Sequence, residues 1–183
     1  MSVMARARVS LRGDTSLDAM KRLIILRHAK SSWADTSLDD WQRPLNDRGR
    51  SDAPRVGEWL REHAIVPDLI VTSDAVRARR TAEAVAGTAG YSRDIVVTPS
   101  LYEASTSDIL GVVNELPEEA HSAMLVGHNP GLESFIRALT GESCDVPTAA
   151  LFVLDLDVNH WSEVAATTTA ASIAQSFRPR DRA

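Results

Sequence analysis

Short apolar runs of strand length alternate along this 183-residue chain with amphipathic stretches of helical period, and that alternation limits the available folds sharply. Five runs read as strands: Arg22 to Leu26, Asp68 to Thr72, Asp94 to Val97, Ala123 to Val126 and Ala149 to Leu154. Trp161 to Ala165 reads as an added edge strand, because Val158-Asn159-His160 resembles a turn between two runs. Several runs are apolar on both faces, which suits strands covered on both sides by helices. The expected architecture is a three-layer α/β/α sandwich with a mainly parallel sheet, its two C-terminal strands allowing an antiparallel part.

Four helices fit between the strands. Asn46 is placed to cap one running through His63, with Pro54 predicting a break or kink near Ala53. Ser73 or Asp74 is placed to cap a second, to about Ala89. A third covers about Ser107 to Leu116, ahead of Pro117. The fourth opens at Asn129-Pro130, with Asn as cap and Pro at the first helical position.

Length and composition narrow the classes further. The chain suits one domain over residues 20–183, and residues 1–19, ahead of Met20 and the first strand, read as a disordered extension. No apolar run approaches the roughly 20 residues that cross a bilayer, so no membrane association is expected. The lone Cys144 cannot form an internal disulfide, and Arg6, Arg8 and Arg12 are followed by no apolar stretch of a secretory leader. Both observations point to the cytoplasm. Net charge is −5, and residues 1 to 22 carry five basic and two acidic side chains, so the remainder is more acidic still. Such a body is a poor nucleic-acid partner, and any phosphate must be met by a local pocket.

Candidate pocket residues come from strand ends, because ligands of open α/β sheets bind beyond the carboxyl ends of the strands. The first strand delivers Arg27 and His28. The second leads into Arg77, Arg79 and Arg80; with Ala78, Ala82, Val85 and Ala89 as the buried stripe, Arg80 points away and only Arg77 also lies in the first helical turn. Another strand ends at Gly127-His128, running into Asn129-Pro130 where a helix N-terminus favours anions. Three strand ends thus deliver cationic or imidazole groups to one edge.

Together these residues resemble a known family. Arg27-His28-Ala29 is similar to the Arg-His-Gly signature of the histidine phosphatase superfamily, Ser73 to Thr81 with Arg77 to its second motif, and Val126-Gly127-His128-Asn129 to the segment bearing its second catalytic histidine. Arg43-Pro44-Leu45-Asn46 with Gly49 looks like the segment between the first two motifs. Arg-His-Ala-Lys-Ser-Ser-Trp and Leu-Tyr-Glu-Ala most resemble the short SixA-type phosphohistidine phosphatases. Ala29 departs from the usual glycine, which narrows backbone freedom beside the nucleophile. The segment added in longer mutase members is missing, so an open pocket is expected.

The resemblance implies a phosphoglycerate mutase-like fold and a phosphatase that forms phospho-His28. Arg27, Arg77, His128 and Asn129 would hold the phosphoryl group, with His128 cationic beside the dianion, and Glu103 stands where larger members carry a proton donor. His28 must be neutral on its attacking nitrogen, its other nitrogen donating to a backbone carbonyl. A phosphohistidine substrate, whose imidazole leaves easily once protonated, has less need of a positioned acid than an alkyl phosphate. No metal or other cofactor is expected. The partner expected is a phosphohistidine-bearing protein, with a small phosphate ester as the alternative substrate and a non-catalytic phosphate-binding module as the rival reading. Trp33 and Trp41 lie in the loop after His28, where they read as aromatic packing of that loop, with the framing of a protein substrate as the alternative. His63, His121 and His160 read as surface or turn residues.

Overall fold

In the computed structural model, residues 20–166 and 170–180 are described; the extension expected over residues 1–19 lies outside them. Six strands, β1 (Lys21–Arg27), β2 (Leu69–Ser73), β3 (Ile95–Thr98), β4 (Ser122–Gly127), β5 (Leu151–Leu156) and β6 (Ala171–Phe177), form one sheet in the order β3-β2-β4-β1-β5-β6. Pairings among β1 to β4 are parallel, while β1–β5 and β5–β6 are antiparallel. The sheet is the mixed, mainly parallel one expected.

Strand alternation splits the core in two. Ile24 and Leu26 face one side, packed with α1 (Asp47–Glu62) and α2 (Val76–Ala89). Leu23 and Ile25 face the other, packed with α3 (Thr106–Asn114) and α4 (Gly131–Thr140). Ala78, Ala82, Val85 and Ala89 are buried on α2 as their spacing requires.

Three local expectations are corrected. First, α1 runs unbroken through Pro54. A proline forfeits one backbone bond, but both halves of α1 are pinned against α2: Val56 and Leu60 are fully buried, and a Cβ on Gly57 would lie 2.3 Å from Val85 O. Packing outweighs the lost bond.

Second, residues 161–163 form a 3-10 turn and not a strand. Trp161 is wholly buried beside α3, its indole Nε1 donating to Ala120 O at 2.8 Å and its backbone N–H facing the Glu118 carboxylate. Anchored on every side, it cannot alternate. The edge position falls to β6, whose outer face is largely exposed.

Third, the side-chain caps expected for α2 and α4 are not used. Ala75 precedes α2 and Pro130 precedes α4, both without a side-chain cap. Ser73 belongs to β2 and its hydroxyl meets His128 Nε2, while Asn129 Nδ2 turns to Val146 O and Glu133 Oε1. Asn46 does cap α1, accepting from Gly49 N at 2.9 Å.

Candidate active site

Strand register alone brings two of the histidines together. In the parallel β1–β4 ladder Arg27 is level with Gly127, so the next residues, His28 and His128, leave the sheet side by side. Their rings lie 4.9 Å apart between centroids, and His28 N donates to Gly127 O at 3.1 Å. On the other flank Thr72 is level with Val126, which sets Ser73 beside β4's last residue. The Ser73 hydroxyl meets His128 Nε2 at 2.9 Å.

The loop bearing His28 is fixed at several points. Ala149 N donates to both Arg27 O and His28 O, at 3.1 and 3.2 Å. Ala29 N donates to Thr81 Oγ1 at 2.9 Å, and Thr81 in turn donates to Arg77 O at 2.7 Å. Ala29 is fully buried without a positive φ, so an alanine is accommodated there without strain. Lys30 O accepts from Asn46 N at 3.0 Å, and a Cβ on Gly49 would fall 2.2 Å from that oxygen. Only a glycine lets α1 come this close.

His28 Nδ1 lies 2.8 Å from Ala29 O, which assigns the proton to Nδ1 and leaves a lone pair on Nε2. Burial, followed by the nearby His128, Arg77 and Arg27 charges, pushes its pKa down to about 3 against the raising effect of the Ala29 carbonyl. The ring is neutral at physiological pH. His128 is lowered to about 4, chiefly by burial and then by Arg77. It too is neutral in the free protein, so the cationic form expected beside a dianion must be created by the anion itself.

Arg77, 5% exposed, ties the two together. Its Nε lies 3.4 Å from His28 Nε2 and its Nη2 lies 3.4 Å from His128 Nδ1. Arg79 and Arg80 are exposed. Arg27 Nη1 donates to Val146 O at 2.9 Å, while its Nε is buried with no hydrogen-bond partner. Asn129 Nδ2 donates to the same Val146 O at 3.0 Å and to Glu133 Oε1, leaving Asn129 Oδ1 buried and unpaired. Its amide braces the wall that holds Arg27.

Glu103 stands apart. It is exposed with φ of 47°, turning the chain after the 3-10 turn Pro99–Leu101, and it makes no hydrogen bond to the cluster. The preceding residue does reach the pocket: Tyr102 stands edge-on to His128 at 5.4 Å and donates to Asp40 Oδ2 at 2.9 Å. Asp40 in turn pairs with Arg77 Nη2 at 2.7 Å. The Tyr102 hydroxyl, Arg77 and Arg43 hold the Asp40 carboxyl below its usual range, against a raising effect of burial. The pocket contacts of Tyr102, Asp40 and Ser73 have no signal of their own in the sequence. Asp40 lies in a polar stretch without period, Tyr102 stands beside the acid that the family resemblance singles out, and a serine between strand and helix suits a cap equally well.

Taken together, this is a metal-ligand-poor, cation-rich pocket around one neutral imidazole: among the described residues no cluster of three His, Cys, Asp or Glu side chains is set to hold a metal ion. Arg77 Nε faces the His28 Nε2 lone pair, the His128 ring stands beside it and Arg27 precedes His28 on the same strand end, an arrangement suited to receiving a phosphoryl group.

The profile of the histidine phosphatase superfamily, branch 1, matches residues 23–145, and the chain belongs to that superfamily. It is 30% identical to a candidate SixA phosphohistidine phosphatase from Agrobacterium tumefaciens, whose crystal structure superposes with a TM-score of 0.75 over 88% of this chain and 100% of that one. An uncharacterized chloroplastic protein of Arabidopsis thaliana is 32% identical over 86% of this chain and 77% of its own. An uncharacterized Mycobacterium tuberculosis protein is 30% identical over 76% and 91%. These likenesses support phosphatase activity. No helix among the described residues is long and apolar enough to cross a membrane.

Proposed function

We propose that this protein removes the phosphoryl group from phosphohistidine in a partner protein through a covalent phospho-His28 intermediate. The observation that carries the reading is the state of His28: buried, neutral, its Nδ1 held by Ala29 O and its Nε2 turned to Arg77. In the first step the Nε2 lone pair attacks phosphorus and the P–N bond to the substrate imidazole breaks, the leaving ring retaining a proton. Arg27 and Arg77 hold the nonbridging oxygens, and His128 takes up a proton as the dianion arrives. Water then attacks phospho-His28, releasing inorganic phosphate and regenerating the imidazole.

The leaving group favours this substrate class. An alkoxide needs a positioned acid, whereas Asp40 is held ionised and Glu103 has no bond to the cluster. Exposed Trp33 and Trp41 beside the site suit a macromolecular partner more than an enclosed metabolite. We assign the chain from residue 20 onward to one domain and its activity to the cytoplasm, where Cys144 stays reduced.

The test is rapid quench with radiolabelled phosphohistidine protein, followed by comparison with an alkyl phosphate. Acid-labile, base-stable label on the wild type and none on His28→Ala is expected, with the phosphohistidine protein turned over at least ~100-fold faster. Absence of the label, or equal rates on both substrates, overturns the mechanism or the substrate assignment respectively.

A further inference from the structure

Donors from three separate elements converge on one carboxylate at the mouth of the pocket. Asp40 Oδ2 takes Arg77 Nη2 at 2.7 Å and the Tyr102 hydroxyl at 2.9 Å, and Asp40 Oδ1 lies 3.1 Å from Arg43 Nε. Arg77 comes from α2, Tyr102 from the chain after β3, and Arg43 from the segment leading into α1. The Asp40 side chain is 42% exposed, whereas those of Arg77 and Arg43 are only 6% and 8% exposed. A pair screened on one side stabilises a fold little, while burying two guanidinium ions is costly.

Arg43 is the less satisfied of the two. Its Nη2 donates to Ser31 Oγ at 2.9 Å and its plane lies on the Trp33 ring, 3.3 Å from the centroid. Its Nε and Nη1 are buried with no hydrogen-bond partner; the approach of Nε to Asp40 satisfies charge but not direction. Buried N–H groups left over beside an anion are spare capacity for a larger one. A carboxylate offers two oxygens, a phosphoryl group three and a second charge.

We propose that Arg43 is a third anion-binding arginine of this pocket and that Asp40 is an internal placeholder, displaced when a phosphoryl group arrives. The proposal rests on the phosphatase reading only for the identity of the anion. Arg77 is the link, because one edge of its guanidinium faces His28 and His128 while its end is held by Asp40. A dianion beside His28 therefore meets the Asp40 charge across a single guanidinium, and like charges at that range repel. Asp40 opens a three-residue 3-10 turn, Asp40–Gln42, with no buried residue of its own, so its departure uncovers little. Arg77 and Arg43 are then both free to turn to the phosphoryl oxygens. Displacement costs affinity for every anion equally, and only one carrying two charges and enough acceptors to use Arg43 recovers it. The placeholder thus selects phosphoryl dianions over carboxylates.

Calorimetric titration of inorganic phosphate into the full-length protein tests this, with thermal melts to establish that each variant is folded. Asp40→Asn should bind phosphate about tenfold more tightly, since the competing charge is gone. Tyr102→Phe, which loosens the same carboxylate, should gain two- to threefold, and Arg43→Gln should lose about tenfold. In the double variant Arg43→Gln should cancel most of the Asp40→Asn gain. If Arg43→Gln fails to fold, Arg43→Lys keeps the charge without the fork and should still lose several-fold. Unchanged or weaker binding by Asp40→Asn would mean that Asp40 orients Arg77 and does not compete, and full affinity in the folded Arg43 variant would remove Arg43 from the site. Either result overturns the proposal. Phosphate binding is read without turnover, so a missing phospho-His28 label leaves this measurement intact, and a failure here leaves the labelling experiment intact.

Discussion

The pocket has two walls built on different principles. One is made of strand ends: Arg27 and His28 after β1, Ser73 closing β2, and His128 after β4, placed by ladder registers that Leu26–Val126 and Thr72–Val126 pairing fixes. The other is the segment from Trp33 to Arg43, held by side-chain contacts: Asp40 to Arg77 and Tyr102, and Arg43 to Ser31 and the Trp33 face. A one-residue slip on the first wall would turn every core side chain of the strand to the wrong face, so its geometry is defended by the whole core. Behind the second wall stand Leu45, the backbone bridge of Ser31 to Leu45 and the close approach of Gly49 to Lys30. On the proposed mechanism, the attacking nitrogen sits on the first wall, and the contacts proposed to yield to a phosphoryl group sit on the second.

The largest effects should therefore fall where the strand-end wall meets the arginine both walls share. His28→Ala removes the attacking nitrogen and should lower kcat/KM on an aryl phosphate by ~10⁴-fold or more. Arg77→Lys leaves a charge but no fork, and it disconnects Asp40 from both imidazoles; a loss of roughly 10²- to 10³-fold is expected, mostly in kcat. If Arg77→Lys changed only KM, Arg77 would be a substrate clamp with no part in the transition state, and the two walls would be coupled less tightly than the distances imply.

The contrast also explains what the sequence discloses. Strand period, helical stripe and strand-end position are local patterns, and they single out Arg27, His28, Arg77 and His128 because each pattern maps directly onto register. Asp40 and Tyr102 have no such pattern: they are 62 positions apart in the chain and meet only because a loop folds back over Arg77. Ser73 has a pattern shared by two roles, since a serine between strand and helix serves equally as a cap or as a partner for a buried group. Which role it takes depends on His128, 55 residues away. The failed edge strand at Trp161 has the same cause. Its alternation is plausible in isolation, and the Ala120 carbonyl that captures the indole belongs to a distant loop.

A smaller effect separates the walls by acid. His28 and His128 are lowered to about 3 and about 4, against about 6.5 for a histidine in an unfolded chain. Between those values the unfolded chain binds protons that the native state refuses, so stability is fully present above pH 6.5 and declines as pH falls toward 4. His128→Gln removes one of these sites. Relative to its own stability at pH 7.5, it should lose on the order of 2 kcal/mol less than the wild type by pH 4.5, read from denaturant melts at each pH. Equal acid losses in the two proteins would mean that His128 already titrates normally and is far more open to water than its 6% exposure implies.

The smallest effect asks whether register alone places His128. Ser73 is fully buried and its hydroxyl meets His128 Nε2 at 2.9 Å while also accepting from Ala75 N at 3.2 Å. Because Arg77 Nη2 faces His128 Nδ1, the proton is assigned to Nε2 and Ser73 is its acceptor. Ser73→Ala leaves that buried N–H unpaired, at a cost of about 1–2 kcal/mol. Some of that cost disappears if the ring turns its proton elsewhere, and a turned ring presents the wrong nitrogen to the phosphoryl group. The expected outcome is a roughly five- to tenfold lower kcat with KM within about twofold, because the arginines still bind the anion. A silent Ser73→Ala would make the β1–β4 ladder sufficient by itself, sharpening the division between a wall placed by backbone pairing and one placed by side chains. A loss as large as that of Arg77→Lys would erase the division, since the strand-end wall would then depend on a single side-chain contact as heavily as the loop wall does.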